Sequence, residues 1–185
     1  MSRRDFRYVA LRYFNVAGAS FDGALGQATP NASHLIKVAC EAALGRRDSL
    51  SLFGTDYDTP DGTCIRDYIH VEDLASAHLS ALQYLGQGGS SVVLNCGYGH
   101  GHSVREVLNT IESISGVDLP IIETGRRAGD PPQLIADNRR ILDVLLWTPK
   151  HDDFKEICRT AWEWEKQYHS GYPRVLSPND VTQVG

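Results

Sequence analysis

The sequence predicts an α/β fold. Runs of β-forming residues alternate with segments whose apolar side chains recur at helical spacing, Gly, Pro and Asn punctuate the joins, and no internal repeat or low-complexity tract interrupts the pattern. With 185 residues, 42% hydrophobic and 22% charged, the chain can bury one sizeable core.

Tyr8 to Phe14 reads YVALRYF, a strand that enters a loop at Asn-x-x-Gly. It opens almost at the first residue, without the crossover helix a parallel sheet needs, so its sheet partners are expected upstream. Phe21 to Asn31 is a Gly- and Pro-containing loop, and Ser33 to Leu44 is a helix stopped by Gly45. Ser49 to Phe53 and Ile65 to Val71 are strands around a turn-rich loop. Asp73 is expected to cap a helix to Leu85 with Leu74, Ala77, His78, Ala81 and Leu82 on its packed side. Ser91 to Cys96 is a strand, and Ser103 with Glu106 has capping-box spacing before the helix of Val107, Leu108 and Ile111. Leu119 to Glu123 is a strand, Asp137 opens a helix to about Leu146, and Phe154 to Tyr168 closes the series as a helix.

The net charge of -5 argues against a nucleic-acid surface, which needs basic residues massed on one face. No stretch reaches the roughly 20 apolar residues that span a bilayer, and no apolar signal core follows the first residues, so the expected setting is cytoplasmic with no membrane partner. Cys40, Cys64, Cys96 and Cys158 are too scattered for a zinc or redox pair and read as reduced, packed thiols.

The Gly97 to His102 turn sits where a dinucleotide-binding loop would, but His102 replaces the third glycine, which favours a plain tight turn over a phosphate cradle. Glu123 is the nearest acid for ribose recognition, at an uncertain register. His34, His70, His78, His100, His102, His151 and His169 form no helical metal-binding pair; His100 and His102 read as solvated turn residues and His78 as a packed helix residue. Trp162 and Trp164 read as aromatics of the last helix. Arg66 and Arg127 could converge on an anion, since a guanidinium forks across two phosphate oxygens. The alternative for Arg66, an ion pair with adjacent Asp67, stands level with it.

The motifs LRYFNVAGA (Leu11 to Ala19), SHLIKVA (Ser33 to Ala39), SLFGTDYDTPDGTCIRDYIHVEDLA (Ser51 to Ala75) and RRAGDP (Arg126 to Pro131), in this order, resemble the UDP-glucose 4-epimerases of the extended short-chain dehydrogenase/reductase superfamily. The resemblance runs from about Arg7 to Tyr172. It implies an incomplete NAD-binding Rossmann-type domain plus a smaller C-terminal substrate-binding domain. Residues 1–172 would be the C-terminal part of such an enzyme, with 1–20 and about 65–86 in the Rossmann-type domain and 173–185 a poorly packed tail.

The same resemblance assigns Tyr13 to the nicotinamide of NAD and Asn15 to the substrate near its diphosphate and sugar. Ser33, His34 and Leu35, where some members carry Asn-Asn, would lie against the diphosphate at a helix start. Ser51, Leu52 and Phe53 match the uracil pocket, Arg66 and Arg127 the diphosphate-binding arginines, Asp130 the ribose acceptor and Leu134 the residue that sizes the sugar pocket. The implied reaction is interconversion of UDP-glucose and UDP-galactose by transient oxidation at C4, in an intact enzyme that forms a homodimer. No Tyr of the chain is followed four residues on by Lys, so the family's proton-transfer pair is not in it, no residue here is assigned as catalytic and no metal is expected. The chain alone is expected to be inactive, and its N-terminal half missing. The rival readings are another nucleotide-sugar epimerase or dehydratase, a non-catalytic UDP-sugar-binding module, and an unstable remnant.

Overall fold

The computed structural model describes residues 6–170. Its first half opens with β1 (Val9–Tyr13) and β2 (Asn15–Ala17), followed by helix α1 (Leu35–Ala43), then β3 (Leu50–Phe53), β4 (Ile65–Arg66), β5 (Tyr68–His70) and helix α2 (Val71–Gly86). The second half runs β6 (Val92–Cys96), β7 (His102–Ser103), α3 (Val104–Ser115), β8 (Ile121–Thr124), β9 (Gln133–Leu134), α4 (Arg139–Leu145) and α5 (Phe154–His169).

The strands pair mostly in parallel: β1 with β6, β2 with β5, and β3 with β8. The short β4 lies between antiparallel β7 and parallel β9. Helices α2 and α4 pack near β1 and β6, while α1, α3 and α5 pack on one another and bury Ile36, Leu108, Ile111 and Ile157. One continuous apolar cluster joins both groups. No helix of the described residues is long and apolar enough to cross a membrane.

Local chemistry sets the element ends. The Ser103 hydroxyl accepts from Glu106 N and the Glu106 carboxylate from Ser103 N, so the expected capping box starts α3. Asp153 caps α5 on two backbone N–H groups. After α1, Gly45 takes a left-handed φ of 67°, which a side chain would strain.

Several expectations need correction. The strand foreseen over Ile65 to Val71 breaks at Asp67, and Val71 already belongs to α2. The N-cap of α2 is His70, whose Nδ1 accepts from Glu72 N, while Asp73 lies inside the helix and accepts from Tyr98 Oη and the backbone N–H groups of Lys150 and His151. His78 is exposed: α2 buries only a narrow stripe of Asp73, Ala77 and Ala81. Asn15 to Ala17, read as loop, pairs with β5. The strand before Gly125 is shifted towards its C-terminal end, and α4 begins after Asn138, because Asp137 is engaged with Arg139. The segment 173–185 lies outside the described residues.

Candidate functional site

A cleft of about 940 Å³ opens where α1 begins, between that helix start, β3 and the β4 strand end. Asn15, Ser33, His34, Leu35, Ser51, Phe53, Arg66, Arg127 and Asp130 all line it. A second hollow of about 580 Å³ shares Asn15 and Arg66 with the cleft and adds Tyr13 and Leu134. The residues expected at the sugar and nicotinamide thus share one hollow, while those expected at the base stand on β3.

Alternation along β3 explains what each of its residues offers. Leu50 N donates to Pro120 O and Gly54 N to Thr124 O, so the even-numbered backbone groups face β8, and those of Ser51 and Phe53 face the open edge. Leu52, between them, is wholly buried and anchors the strand in the core; its side chain is no part of the cleft wall.

Arg66 does not pair with the adjacent Asp67. Its guanidinium donates to the carbonyls of Ile65 (2.8 Å) and Pro131 (2.9 Å) and lies 3.6 Å from Asp130, while Asp67 points the other way into the core. Arg127 reaches the other oxygen of Asp130 at 3.7 Å and stacks over the Phe53 ring at 4.3 Å. Two guanidiniums thus share one carboxylate, leaving a cationic surplus on the cleft wall.

The start of α1 differs from those of α2, α3 and α5. His34 is its N-cap without a side-chain hydrogen bond, and the first turn carries no acid. Leu35, Ile36 and Lys37 therefore present first-turn N–H groups at the partly positive end of a helix. Both ring nitrogens of His34 are buried without a hydrogen-bond partner, and burial pushes the imidazole's pKa below its ordinary value, which favours the neutral form.

The glycine turn after β6 is built differently. Asp67 accepts from Tyr98 N (3.0 Å), Gly99 N (3.0 Å) and Ala136 N (3.2 Å), so the anion cradled there is the protein's own carboxylate. A Cβ on Gly97 would stand 2.6 Å from Asp67 Oδ2, which explains the glycine. The plain-turn reading holds and the phosphate-cradle reading falls. Glu123 pairs with exposed Arg105 and lines neither hollow.

Sequence reasoning missed Arg47. It lines the cleft, donates to Ala32 O at 2.9 Å and meets Glu41 at 2.5 Å. Glu41 lies 3.3 Å from Lys37, whose Nζ sits 2.9 Å from both oxygens of Glu165, and His169 lies 2.8 Å from Glu165. Burial would raise the Glu41 pKa, but hydrogen bonds from Arg47 and Lys37 outweigh it and lower the value. Glu41, Glu165 and His169 are close enough to suggest a metal cluster, yet Lys37 already supplies the positive charge between the acids. The doubled arginine after Gly45 was the available signal, but only the fold turns Arg47 back over the helix start.

The remaining candidates are structural. His100 pairs with Asp152 at the surface, as a solvated turn residue would, whereas His102 is half-buried and stacks on Phe154 at 3.9 Å. Trp162 and Trp164 are buried. All four cysteines are buried free thiols; burial pushes Cys96 and Cys158 up to about 12, far from reactive thiolates.

Residues 1–97 match the NAD dependent epimerase/dehydratase family. The chain belongs to that family. Among curated relatives, a UDP-glucose 4-epimerase of Azospirillum brasilense is 58% identical over 93% of this chain and 49% of its own length. The solved UDP-Glc/GlcNAc 4-epimerase of Campylobacter jejuni is 56% identical, with a TM-score of 0.73 over 88% of this chain and 49% of that one. The UDP-glucose 4-epimerase of Bifidobacterium longum, solved with NAD+ and UDP, is 34% identical, with a TM-score of 0.82 over 90% of this chain and 49% of that one. The chain spans about half the length of the curated relatives it matches.

Proposed function

We propose that this chain forms the UDP-sugar side of a UDP-glucose 4-epimerase and acts in the cytoplasm within a complete, homodimeric enzyme. The observation that carries this reading is the cleft at the uncapped start of α1, where His34 and Leu35 line the same space as Arg66 and Arg127. A diphosphate supplies the negative charge that this wall lacks. At one end the open backbone edge of Ser51 and Phe53 reads the uracil, and Phe53, backed by Arg127, packs beside the base. Asp130 accepts from the ribose hydroxyls. At the other end Asn15 and Leu134 meet the hexose, beside Tyr13.

NAD, when bound, supplies a hydride acceptor and donor at sugar C4. The described residues fit only its nicotinamide edge: Tyr13 is 54% exposed on that hollow, whereas the glycine turn is closed by Asp67. The dinucleotide loop and the Tyr-x-x-x-Lys pair belong to the remainder of the enzyme, so this chain binds and orients the substrate but does not move the C4 proton.

The test is UDP binding by calorimetry beside epimerisation of UDP-galactose with added NAD, on the purified 185-residue chain. Binding without turnover is expected. Turnover would refute the assignment of proton transfer to absent residues, and no UDP binding would refute the cleft assignment.

A further inference from the structure

We infer that Asp67 is a positioning residue that holds the sugar end of the cleft in register while leaving the base end alone; this rests on the nucleotide-sugar reading above. Asp67 is fully buried, and every hydrogen-bonding group it has is engaged across the fold. Its N–H donates to Leu134 O at 3.2 Å, and its carbonyl accepts both the backbone N–H and the Nδ2 of Asn15 at 3.1 Å. Its carboxylate takes the N–H groups of Tyr98, Gly99 and Ala136. One side chain therefore fixes the loop after β6 and the segment after β9, while the same residue's backbone fixes Asn15 and Leu134.

Those two residues line the hollow at the sugar end, and Arg66, next in the chain, lines both spaces. The Arg66 side chain lines the cleft while Asp67, beside it at the break between β4 and β5, is turned inward. The base end has different support: β3 is held by β8, and no hydrogen bond joins Asp67 to Ser51 or Phe53. A carboxylate is required, since both oxygens accept from backbone N–H groups and an amide would turn its own N–H atoms on at least one of them. The role shows as a difference between the two ends of the cleft, which a uniform loss of stability would not produce.

The experiment compares the wild-type chain with Asp67→Asn, using UDP-glucose and UMP as probes in calorimetry, with amide hydrogen exchange on the same proteins. For Asp67→Asn, UDP-glucose affinity is expected to fall about tenfold or more and UMP affinity by less than about threefold, the scale of one charge-assisted hydrogen-bond set lost at one end. Exchange is expected to quicken more over residues 12–17 and 132–137 than over 50–54. Equal loss for both probes, or equal quickening in all three segments, would overturn the inference. Gly97→Ala, whose Cβ presses on the same carboxylate without removing it, gives a milder version of this pattern should Asp67→Asn not fold. If the wild type binds neither probe, the cleft reading fails, and the exchange comparison still decides for or against Asp67.

Discussion

Two clusters of backbone N–H groups lie within this fold, and they have opposite fates. The turn at Tyr98 and Gly99 looks like an anion cradle in sequence, yet Asp67 fills it from inside. The start of α1 has no glycine signature, yet it has neither a side-chain cap nor a first-turn acid, and its Leu35 lines a cleft with three arginines. An anion site is a donor cluster without an internal acceptor. Glycine content marks close approach of backbone, and what approaches is decided by the rest of the fold.

The largest effect should come from breaking the closed cluster. Asp67→Asn strands buried backbone donors, each worth about 1–3 kcal/mol, so unfolding stability is expected to fall by about 3 kcal/mol in a urea titration. A loss below 1 kcal/mol would mean that water replaces the carboxylate easily.

Closing the open cluster should give a slightly smaller effect of mixed sign. His34→Asp puts a capping carboxylate at the start of α1, as Asp153 does for α5. It is expected to stabilise the fold by about 0.5–1 kcal/mol and to weaken UDP binding by about thirtyfold, because the protein's own anion now competes with the diphosphate. Unchanged UDP affinity would place the diphosphate elsewhere.

The two arginines sharpen the contrast further. Arg66 is held by two carbonyls and is largely enclosed, whereas the Arg127 side chain is 62% exposed. Arg66→Ala is therefore expected to cost about tenfold in UDP affinity and Arg127→Ala about threefold, measured by the same calorimetry.

The fold was legible where a local pattern decides the outcome: the capping box of α3, the glycine stop of α1 and the apolar spacing of α5. Misreadings came where neighbours in sequence part company in space. Arg66 and Asp67 stood level between an ion pair and an anion site, and the break between β4 and β5 leaves one on the cleft and the other in the core. Leu52 sits between two open-edge residues of β3 and is buried. Asp73 has the chemistry of an N-cap, yet loop amides nearly 80 residues away along the chain hold it. The cleft residues were found through family resemblance, since spacing alone left Arg66 undecided; Arg47 and the role of Asp67 emerged only from tertiary contacts.

The smallest effect concerns pH. Burial is the leading cause that lowers the pKa values of His34, His70 and His102 below 6.5. Between 6.5 and those lowered values the unfolded chain binds more protons than the fold, so stability is full above the window and falls as pH drops through it. His34→Asn should flatten part of that decline in a series of urea titrations, and an unaltered slope would assign it to the other two histidines.

The central claim, that the open cluster and not the closed one meets the nucleotide diphosphate, is tested most directly by mapping backbone amide shifts in a 15N-labelled chain as UDP is added. The largest shifts are predicted at Leu35, Ile36 and Lys37, with Ser51 and Phe53 following. Shifts centred on Tyr98 and Gly99, with the start of α1 silent, would contradict it.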